Sequence, residues 1–221
     1  MTIAQIKKLL KDFKDVPTGN EFLDNRNDPN SKYYRFFYQL TKKFKPKIVV
    51  ELGSWQGTSA AYFAGGNATT KVITVDHHTD PGDDLNRLKT VEAQNQFPNM
   101  KYCKGWTCNE IYEEEKDSHS IKGENAFPKV IKELNGEKID VLFIDSWHNH
   151  KQALRDWNAY KELMSNDALV IVDDVLVGTP NTAIDNVRKF WDELDGVKHL
   201  DTTLHVGFPM GFITVKNKKN S

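Results

Sequence analysis

The sequence predicts a doubly wound α/β fold with a mostly parallel sheet. Four short runs rich in β-branched residues, at 48–50, 72–75, 141–144 and 168–172, alternate with amphipathic segments. Uninterrupted apolar runs of this length are typical of strands that are buried on both faces, as in a parallel sheet covered by helices. Their alternation with helical segments therefore predicts a doubly wound domain.

The helices of this domain are predicted as the amphipathic segments between the strands. They cover residues 57–64, 84–94, 127–134, 150–164 and 181–193. A weaker strand candidate covers residues 100–103, and the charged segment 113–125 is expected to be a surface loop.

The two ends of the chain depart from this alternation. Helical spacing predicts helices at 3–13 and 33–44, separated by a segment at 17–31 that is crowded with turn formers and is expected to be a mobile loop. Residues 197–215 predict a final strand pair with a turn near 208–211, which adds an antiparallel C-terminal strand and makes seven strands in all. We therefore expect an N-terminal helical extension at 1–45 and the α/β domain at 46–221.

Composition limits the partners that the chain can bind. Its 221 residues include 30 Lys and Arg against 31 Asp and Glu, a formal charge of -1, which argues against a nucleic-acid partner. No apolar run reaches the length of a membrane span, and the N-terminus lacks a signal-peptide pattern, so a cytoplasmic location is expected. The sequence leaves a homo-oligomer open.

A glycine-bracketed turn follows the first predicted strand. Gly53 and Gly57 flank Ser54, Trp55 and Gln56, and the next helix begins at Thr58. Glycines let a backbone approach a ligand closely, and free N–H groups at a helix start can bind an anionic group. The same pattern also suits a tight strand-to-helix turn that binds nothing.

Asp76, at the end of the second strand, strengthens the prediction of a nucleoside-binding site. An acidic side chain at this place can accept hydrogen bonds from both hydroxyls of a ribose. A nicotinamide dinucleotide would suit the same pair of features. However, the segment from Gly53 to Gly57 lacks the middle glycine that makes room for a pyrophosphate.

Residues 51–59 resemble the first motif of class I methyltransferases, particularly the catechol O-methyltransferase-like group. The resemblance implies a Rossmann-like fold that binds S-adenosylmethionine (SAM). It implies that the glycines line the methionine part of SAM, that Ser59 contacts its carboxylate and that Asp76 holds the ribose. The segment after residues 100–103 matches the adenine contact of the family, although Trp106 would equally suit simple packing. The predicted cofactor-binding residues are Glu51, Gly53, Ser54, Trp55, Gly57, Ser59, Asp76, His77, Gly105, Trp106, Thr107 and Trp147.

Acidic residues end two of the predicted core strands. Asp145 follows one strand, and Asp173 and Asp174 follow the next. Carboxyl ends of neighbouring strands lie beside the ligand crevice of an open α/β sheet, so these carboxylates are expected to converge there. Such a cluster suits Mg²⁺ or another hard divalent cation. Strand-end aspartates that only bond to local N–H groups are the alternative.

The same resemblance extends to this acidic cluster and to His148. The arrangement is similar to the metal triad of catechol-type enzymes and of macrolide-sugar and cephamycin-type O-methyltransferases, which implies that Asp145, Asp173 and Asp174 bind the metal. His148 matches the position of the catalytic base in both groups, so His148 and Asp145 are the predicted catalytic residues. A surface histidine at a helix start is the alternative for His148.

The leading hypothesis is a SAM-dependent O-methyltransferase that acts on a hydroxyl of a small molecule with the help of a divalent metal. A nucleic-acid or protein methyltransferase and a non-catalytic SAM-binding protein are the alternatives, with a dehydrogenase the weakest. The segments 17–31 and 176–182 could roof the acceptor pocket. The aromatic residues Tyr33, Tyr34 and Phe36 would either join that roof or belong to the core.

Overall fold

The computed structural model of the chain describes residues 1–78, 83–108, 124–175 and 185–215. These residues form a seven-stranded sheet with helices on both faces, as predicted. The strands are β1 (Ile48–Leu52), β2 (Lys71–Asp76), β3 (Met100–Lys104), β4 (Ile139–Ile144), β5 (Met164–Val172), β6 (Val197–Asp201) and β7 (Met210–Val215). The helices are α1 (Ile3–Asp12), α2 (Glu21–Asp24), α3 (Tyr33–Phe44), α4 (Thr58–Gly66), α5 (Asp83–Gln96), α6 (Phe127–Leu134), α7 (His150–Tyr160) and α8 (Asp185–Glu193).

The strand order is β3-β2-β1-β4-β5-β7-β6. The five strands from β3 to β5 are parallel, and β7 runs antiparallel to both β5 and β6, which confirms the predicted antiparallel C-terminal strand. From β1 the chain winds outward to β2 and β3, and then crosses to β4 on the other side of β1. The carboxyl ends of β1 and β4 therefore form the topological switch point, which is where ligands bind in sheets of this kind.

Alternating side chains of the central strands pack into two different cores. Val49 packs into the core on one face together with Phe37 and Phe63, whereas Val50 packs into the core on the other face with Val130. This two-sided burial explains why the strands have uninterrupted apolar sequences.

The N-terminal helices lie on the same face of the sheet as α4. Thr2 caps α1 in a capping box with Gln5, and the rings of Phe37 on α3 and Phe63 on α4 stack with centroids 4.1 Å apart. Residues of α1 and α3 therefore belong to the same core as β1 and β4.

The segment 17–31 differs from the prediction because it contains α2 and is not an irregular loop throughout. The side chain of Asn20 caps this short helix by accepting from the Leu23 N–H, and the Leu23 side chain is fully buried. The Tyr62 hydroxyl on α4 donates to the Leu23 carbonyl at 2.8 Å. Contacts with a distant helix stabilise α2, so local turn propensity could not predict it.

Two further boundaries were wrong. The helix predicted at 150–164 ends at Tyr160, continues as a 3₁₀ turn at Lys161–Leu163, and gives way to β5, which starts at Met164. The turn predicted near 208–211 is also misplaced. The connection between β6 and β7 is longer and ends before Met210, so Met210 and Gly211 already belong to β7. Gly211 is needed there because a Cβ would lie 2.7 Å from the Trp191 ring. The predicted elements at 113–123, 176–182 and 181–184 lie outside the described residues.

In the described part of the chain, no helix combines the length and the apolar character that a membrane crossing needs.

Candidate active site

A cavity of ≈ 560 Å³ opens at the carboxyl ends of the parallel strands, beside the switch point. The predicted residues that line it are Gly53, Ser54, Trp55, Ser59, Asp76, His77, Trp106, Thr107, Asp145, Trp147, His148, Asp173 and Asp174. Glu51, Gly57 and Gly105 are not part of its wall. The structure therefore brings most of the predicted cofactor, base and metal residues to one cavity, and their roles stay predictions.

The glycines of the turn after β1 are required by packing within the protein. Gly53 has a φ of 96°, and a Cβ on it would lie 2.0 Å from the carbonyl oxygen of Asp145. Gly57 has a φ of 70°, and its Cβ would lie 3.0 Å from the Thr90 Cα. The backbone therefore closely approaches the residue that follows β4 at Gly53 and helix α5 at Gly57, whereas the sequence had suggested a close approach to a ligand.

Asp76 holds the glycine turn from the end of β2. Its Oδ2 atom accepts hydrogen bonds from the N–H groups of Ser54 at 2.9 Å and Trp55 at 2.7 Å. Among the described residues, its Oδ1 atom accepts only a long bond, 3.3 Å, from the His78 N–H. Because Asp76 also lines the cavity, this second oxygen keeps capacity for the hydroxyl groups of a ligand.

Ser54 is a buried residue of the turn that lines the cavity. The residue is 3% exposed, and its Oγ atom has no hydrogen-bond partner among the described residues. A buried hydroxyl without a partner is destabilising, so such groups usually bind a ligand or water. Since Ser54 lines the cavity, its hydroxyl suits a polar cofactor bound against the turn.

Glu51 lies beneath the cavity and is fully buried in β1. It accepts hydrogen bonds from the hydroxyls of Ser59 and Thr74. Burial raises the pKa of Glu51 to about 7, although both hydroxyl bonds oppose the shift. In this structure the Ser59 hydroxyl is thus directed to Glu51, where the resemblance implied a contact with the SAM carboxylate.

An aromatic pair forms the wall at the end of β3. The rings of His77 and Trp106 stack with centroids 4.2 Å apart and an interplanar angle of 26°. Gly105, with a φ of 142°, lets the chain turn there, since a Cβ would lie 2.0 Å from the Glu124 carbonyl oxygen. This stacked surface, beside Asp76, is where the sequence predicted the adenine contact.

A buried carboxylate fixes the neighbouring wall. Asp156 on α7 accepts from the hydroxyls of Thr107 and Ser146, both at 2.5 Å, and from Gln152 Nε2 at 3.0 Å. Burial raises the pKa of Asp156 to about 6. Its three partners line the cavity, so Asp156 ties together the loops that follow β3 and β4.

His148 lies between two of the predicted acidic residues. Its Nε2 atom is 3.3 Å from Asp145 Oδ1, and its Nδ1 atom is 2.6 Å from Asp174 Oδ2. Burial lowers the pKa of His148, but the hydrogen bonds and charges of Asp145 and Asp174 outweigh it and raise that pKa to about 10. Burial, assisted by the nearby Asp173 carboxylate, raises the pKa of Asp145 well above its ordinary value.

The two acidic residues after β5 face the cavity together because the strand ends at Val172, just before them. Consecutive side chains in a strand point to opposite faces, but Asp174 has a φ of 55° and turns the chain. The carboxylates of Asp173 and Asp174 form a group with a ring nitrogen of His205, all three atoms lying within 4.8 Å of one another. Asp145 is not one of this group.

His205 was missed by the sequence analysis. It lies on the connection between β6 and β7, and its Nδ1 atom is 3.5 Å from Asp173 Oδ1. The sequence carries no local signal for it, because its position depends on pairing with the N-terminal segment. The other lining residues without a predicted role are Asp28, Ser31, Gln56, Thr58, Ser146 and Gln152. Tyr33 and Tyr34 meet both alternatives, since they are buried in the core and also line the cavity.

The cavity wall is strongly acidic. It contains five aspartates, Asp28, Asp76, Asp145, Asp173 and Asp174, and three histidines, whereas no lysine or arginine of the described residues lines it. Buried like charges repel one another unless a cation binds among them. The chemistry of the wall therefore suits a positively charged cofactor and a metal ion.

Solved structures with the same architecture are methyltransferases. The O-methyltransferase from Bacillus cereus, in complex with SAH, is 14% identical, with a TM-score of 0.55 over 96% of this chain and 92% of that chain. The O-methyltransferase TomG from Streptomyces achromogenes, involved in tomaymycin synthesis and solved with SAM, is 13% identical, with a TM-score of 0.59 over 96% of each chain. The SAH-bound methyltransferase PaMTH1 from Podospora anserina is 14% identical, with a TM-score of 0.56 over 98% of this chain and 89% of that chain.

At these identities the similarity establishes the fold, which is that of the class I methyltransferases. No curated protein sequence matches the chain at a significant level. A family model described as "Methyltransferase domain" matches residues 50–175, which is more than half of the chain. The chain belongs to this methyltransferase family, and SAM-dependent methyl transfer is its activity.

Proposed function

We propose that this protein is an O-methyltransferase that methylates a hydroxyl of a small molecule with the assistance of a divalent cation. One observation carries the proposal: the acidic cluster with His148 shares a cavity with the glycine turn and Asp76. A methyl donor at the turn and an oxygen nucleophile at the cluster would then meet within one cavity.

The cofactor would bind along the side of the cavity formed by β1, β2 and β3. The free Oδ1 capacity of Asp76 suits the ribose hydroxyls, and the unpartnered Ser54 hydroxyl suits a polar group of the methionine part. The stacked rings of His77 and Trp106 offer an apolar surface beside the adenine. SAM supplies the methyl group on its sulfonium sulfur.

His148 would accept the proton of the attacking hydroxyl at Nε2. Its Nδ1 atom, 2.6 Å from Asp174 Oδ2, would keep a proton and so leave the Nε2 lone pair available. The hydroxyl oxygen forms the new bond to the methyl carbon while the carbon–sulfur bond breaks, and the electron pair stays on sulfur. Charge balances because the sulfonium becomes a neutral thioether and His148 becomes positive.

A divalent cation at the acidic cluster would support this role of His148. Asp145, Asp173 and Asp174 would hold it, and when bound it would lower the pKa of the acceptor hydroxyl. In its absence the carboxylates keep His148 protonated at neutral pH, since they raise its pKa to about 10. A cation that engages the same carboxylates would weaken their hold on the His148 proton.

The acceptor would bind against the N-terminal segment, where Ser31, Tyr33 and Tyr34 line the cavity. A cavity wall without lysine or arginine among the described residues disfavours polyanionic acceptors such as nucleic acids. A small hydroxylated molecule, aligned with the methyl group, therefore fits the proposal best.

The test is SAH release from SAM in the presence of a panel of polyols and catechols, with and without a chelator. We expect release with at least one acceptor, a strong loss of release with the chelator, and restoration by added divalent cation. Asp145→Ala should abolish turnover while the affinity for SAM, measured by calorimetry, stays within about twofold of the original value.

Turnover that is the same with chelator and in Asp145→Ala would disprove the metal role. Tight SAM binding without SAH release for any acceptor class would favour a non-catalytic binding protein. Release that requires oligonucleotides and falls steeply with salt would favour a nucleic-acid methyltransferase.

A further inference from the structure

His205 is held in the cavity wall by two segments that are distant in sequence. It forms an isolated bridge with Ser31. On either side of it, the Tyr33 N–H donates to the Leu204 carbonyl at 3.1 Å, and the Val206 N–H donates to the Asn30 carbonyl at 3.0 Å. These backbone hydrogen bonds thus fix the connection between β6 and β7 against the segment that precedes α3.

Two aromatic rings also orient the imidazole of His205. Its ring lies 5.1 Å from the Tyr33 ring and 5.1 Å from the Phe208 ring, measured between centroids. On its open edge, Nδ1 faces Asp173 Oδ1 at 3.5 Å. A ring packed in this way loses little side-chain entropy when an ion binds at that nitrogen.

The three donor atoms are spaced almost as the ligands of one metal ion. One donor atom each of Asp173, Asp174 and His205 lie within 4.8 Å of one another. Ligands bound at about 2.1 Å in octahedral geometry lie about 3.0–4.2 Å apart. A shift of a few tenths of an ångström to one ångström in side-chain position would therefore bring all three onto one ion.

We propose that His205 is a metal ligand, and that the cation of this protein is bound by one imidazole nitrogen and the carboxylates of Asp173 and Asp174. The inference rests on the proposed metal-assisted function and changes the predicted ligand set. Imidazole favours first-row transition metals, whereas Mg²⁺ prefers oxygen ligands alone. The site should thus select ions such as Co²⁺, Fe²⁺ or Zn²⁺ over Mg²⁺.

With this ligand set, Asp145 is not the metal ligand that the sequence predicted. Asp145 lies outside the group of three, and its closest described partner there is His148 Nε2 at 3.3 Å. It would stabilise the positive charge of His148 once Nε2 has accepted the proton, while Asp173, Asp174 and His205 hold the ion. The metal would also connect the sheet to the segment that carries Tyr33, because His205 is bridged to Ser31.

The test is the binding of Co²⁺ alone to the full-length protein, followed by the visible absorption of the ion and by calorimetry, with Mg²⁺ as competitor. We expect His205→Ala to weaken Co²⁺ binding on the order of 10- to 100-fold and to change the absorption spectrum. Mg²⁺ should compete poorly in the original protein. His199→Ala, on β6 and outside the cavity, is the matched control and should bind Co²⁺ like the original protein.

Pulsed electron paramagnetic resonance of bound Mn²⁺ gives a second measurement that does not depend on affinity. A nitrogen coupling should be present in the original protein and absent in His205→Asn, which retains a polar side chain of similar reach. Thermal unfolding of both variants identifies any general loss of structure.

Equal Co²⁺ affinity and identical spectra in His205→Ala would overturn the inference. If Asp174→Asn then removed the ion, the metal-assisted function would stand without His205. If no divalent ion bound to any of these proteins while SAH release continued, both the ligand set and the metal role would fail, and methyl transfer would stand.

Discussion

The carboxylates at the two ends of the cavity have different kinds of hydrogen-bond partner. At the cofactor end, Asp76 accepts two short bonds from the N–H groups of the glycine turn, and Asp156 accepts from three side chains. At the acidic end, Asp145, Asp173 and Asp174 are partnered mainly by two histidines, His148 and His205.

This difference separates a preformed region from one that is completed by its ligand. Carboxylates that bond to fixed donors stabilise the loops around them whether or not a ligand is present. Buried carboxylates close to one another need protons or a cation, and burial accordingly raises the pKa of both Asp145 and Asp173. The cofactor end should thus be rigid before binding, while the acidic end should respond to metal and pH.

The largest effect is expected where the two ends touch, at Gly53. In Gly53→Ala the new Cβ would lie 2.0 Å from the Asp145 carbonyl oxygen, at a φ of 96°. We expect a loss of about 5 kcal/mol or more of unfolding free energy, measured by urea denaturation.

Gly136→Ala is the control for Gly53→Ala, because Gly136 has a φ of 81° with nothing within 4 Å of its Cβ. It should cost only about 1 kcal/mol, the strain of the backbone alone. Similar losses in the two variants would mean that the two ends of the cavity are not packed against each other as described.

The next largest effect concerns the acidic end alone. His148→Gln should lower kcat about 100- to 1000-fold, because the variant lacks the base, while SAM affinity stays unchanged. His150→Gln is the matched control, since His150 pairs with Glu193 at 2.7 Å and does not line the cavity. A kcat for His148→Gln close to that of His150→Gln would show that His148 is not the base.

The contrast between the two ends also explains how much the sequence could predict. The strands and the residues that follow them were predictable, because uninterrupted apolar runs mark buried parallel strands and their carboxyl ends must meet. Asp76, Asp145 and Asp173 were expected at strand ends in this way, and all three line the cavity. His205 and α2 could not be found, since Ser31 and Tyr62 hold them from distant parts of the chain.

The glycine turn illustrates a different limit of sequence reasoning. The motif predicted its place and its conformation, but not the reason for the glycines. Gly53 is explained by contact with Asp145, just after β4, and Gly57 by contact with α5, which only the tertiary structure shows. The feature of the turn that suits a ligand is instead the Ser54 hydroxyl, which has no partner among the described residues.

A third prediction uses Glu51, the buried acid beneath the cofactor end. Its pKa is raised by burial from 4.5 to about 7, so between these pH values the native state holds a proton that the unfolded chain releases. Stability from this group is therefore full below about pH 4.5 and is lost as pH rises through 7, a total of roughly 3 kcal/mol. Glu51→Gln mimics the protonated acid. At pH 8 the variant should unfold at a higher urea concentration than the original protein, and at pH 5 the two should unfold at similar urea concentrations.

Glu137→Gln, at an exposed position, is the control for Glu51→Gln and should show no such pH-dependent difference. If Glu51→Gln were less stable than the original protein at pH 8, the carboxylate would be ionised and well bound by Ser59 and Thr74. The ionised carboxylate of Glu51 would then stabilise the cofactor end, contrary to the raised pKa of this residue.

The smallest effect is expected for Asp76, and it separates the two ends most directly. Asn can still accept the N–H groups of Ser54 and Trp55 on one oxygen, so Asp76→Asn should fold normally. Its second atom becomes a donor, which removes the acceptor for the ribose hydroxyls. We expect SAM affinity to fall about 10- to 100-fold, roughly 2 kcal/mol, measured by calorimetry, while Co²⁺ affinity stays the same. Asp84→Asn, on the exposed side of α5, should change neither affinity. If Asp76→Asn weakened metal binding as much as SAM binding, the two ends would be one coupled site, and the division between a preformed and a ligand-completed region would be wrong.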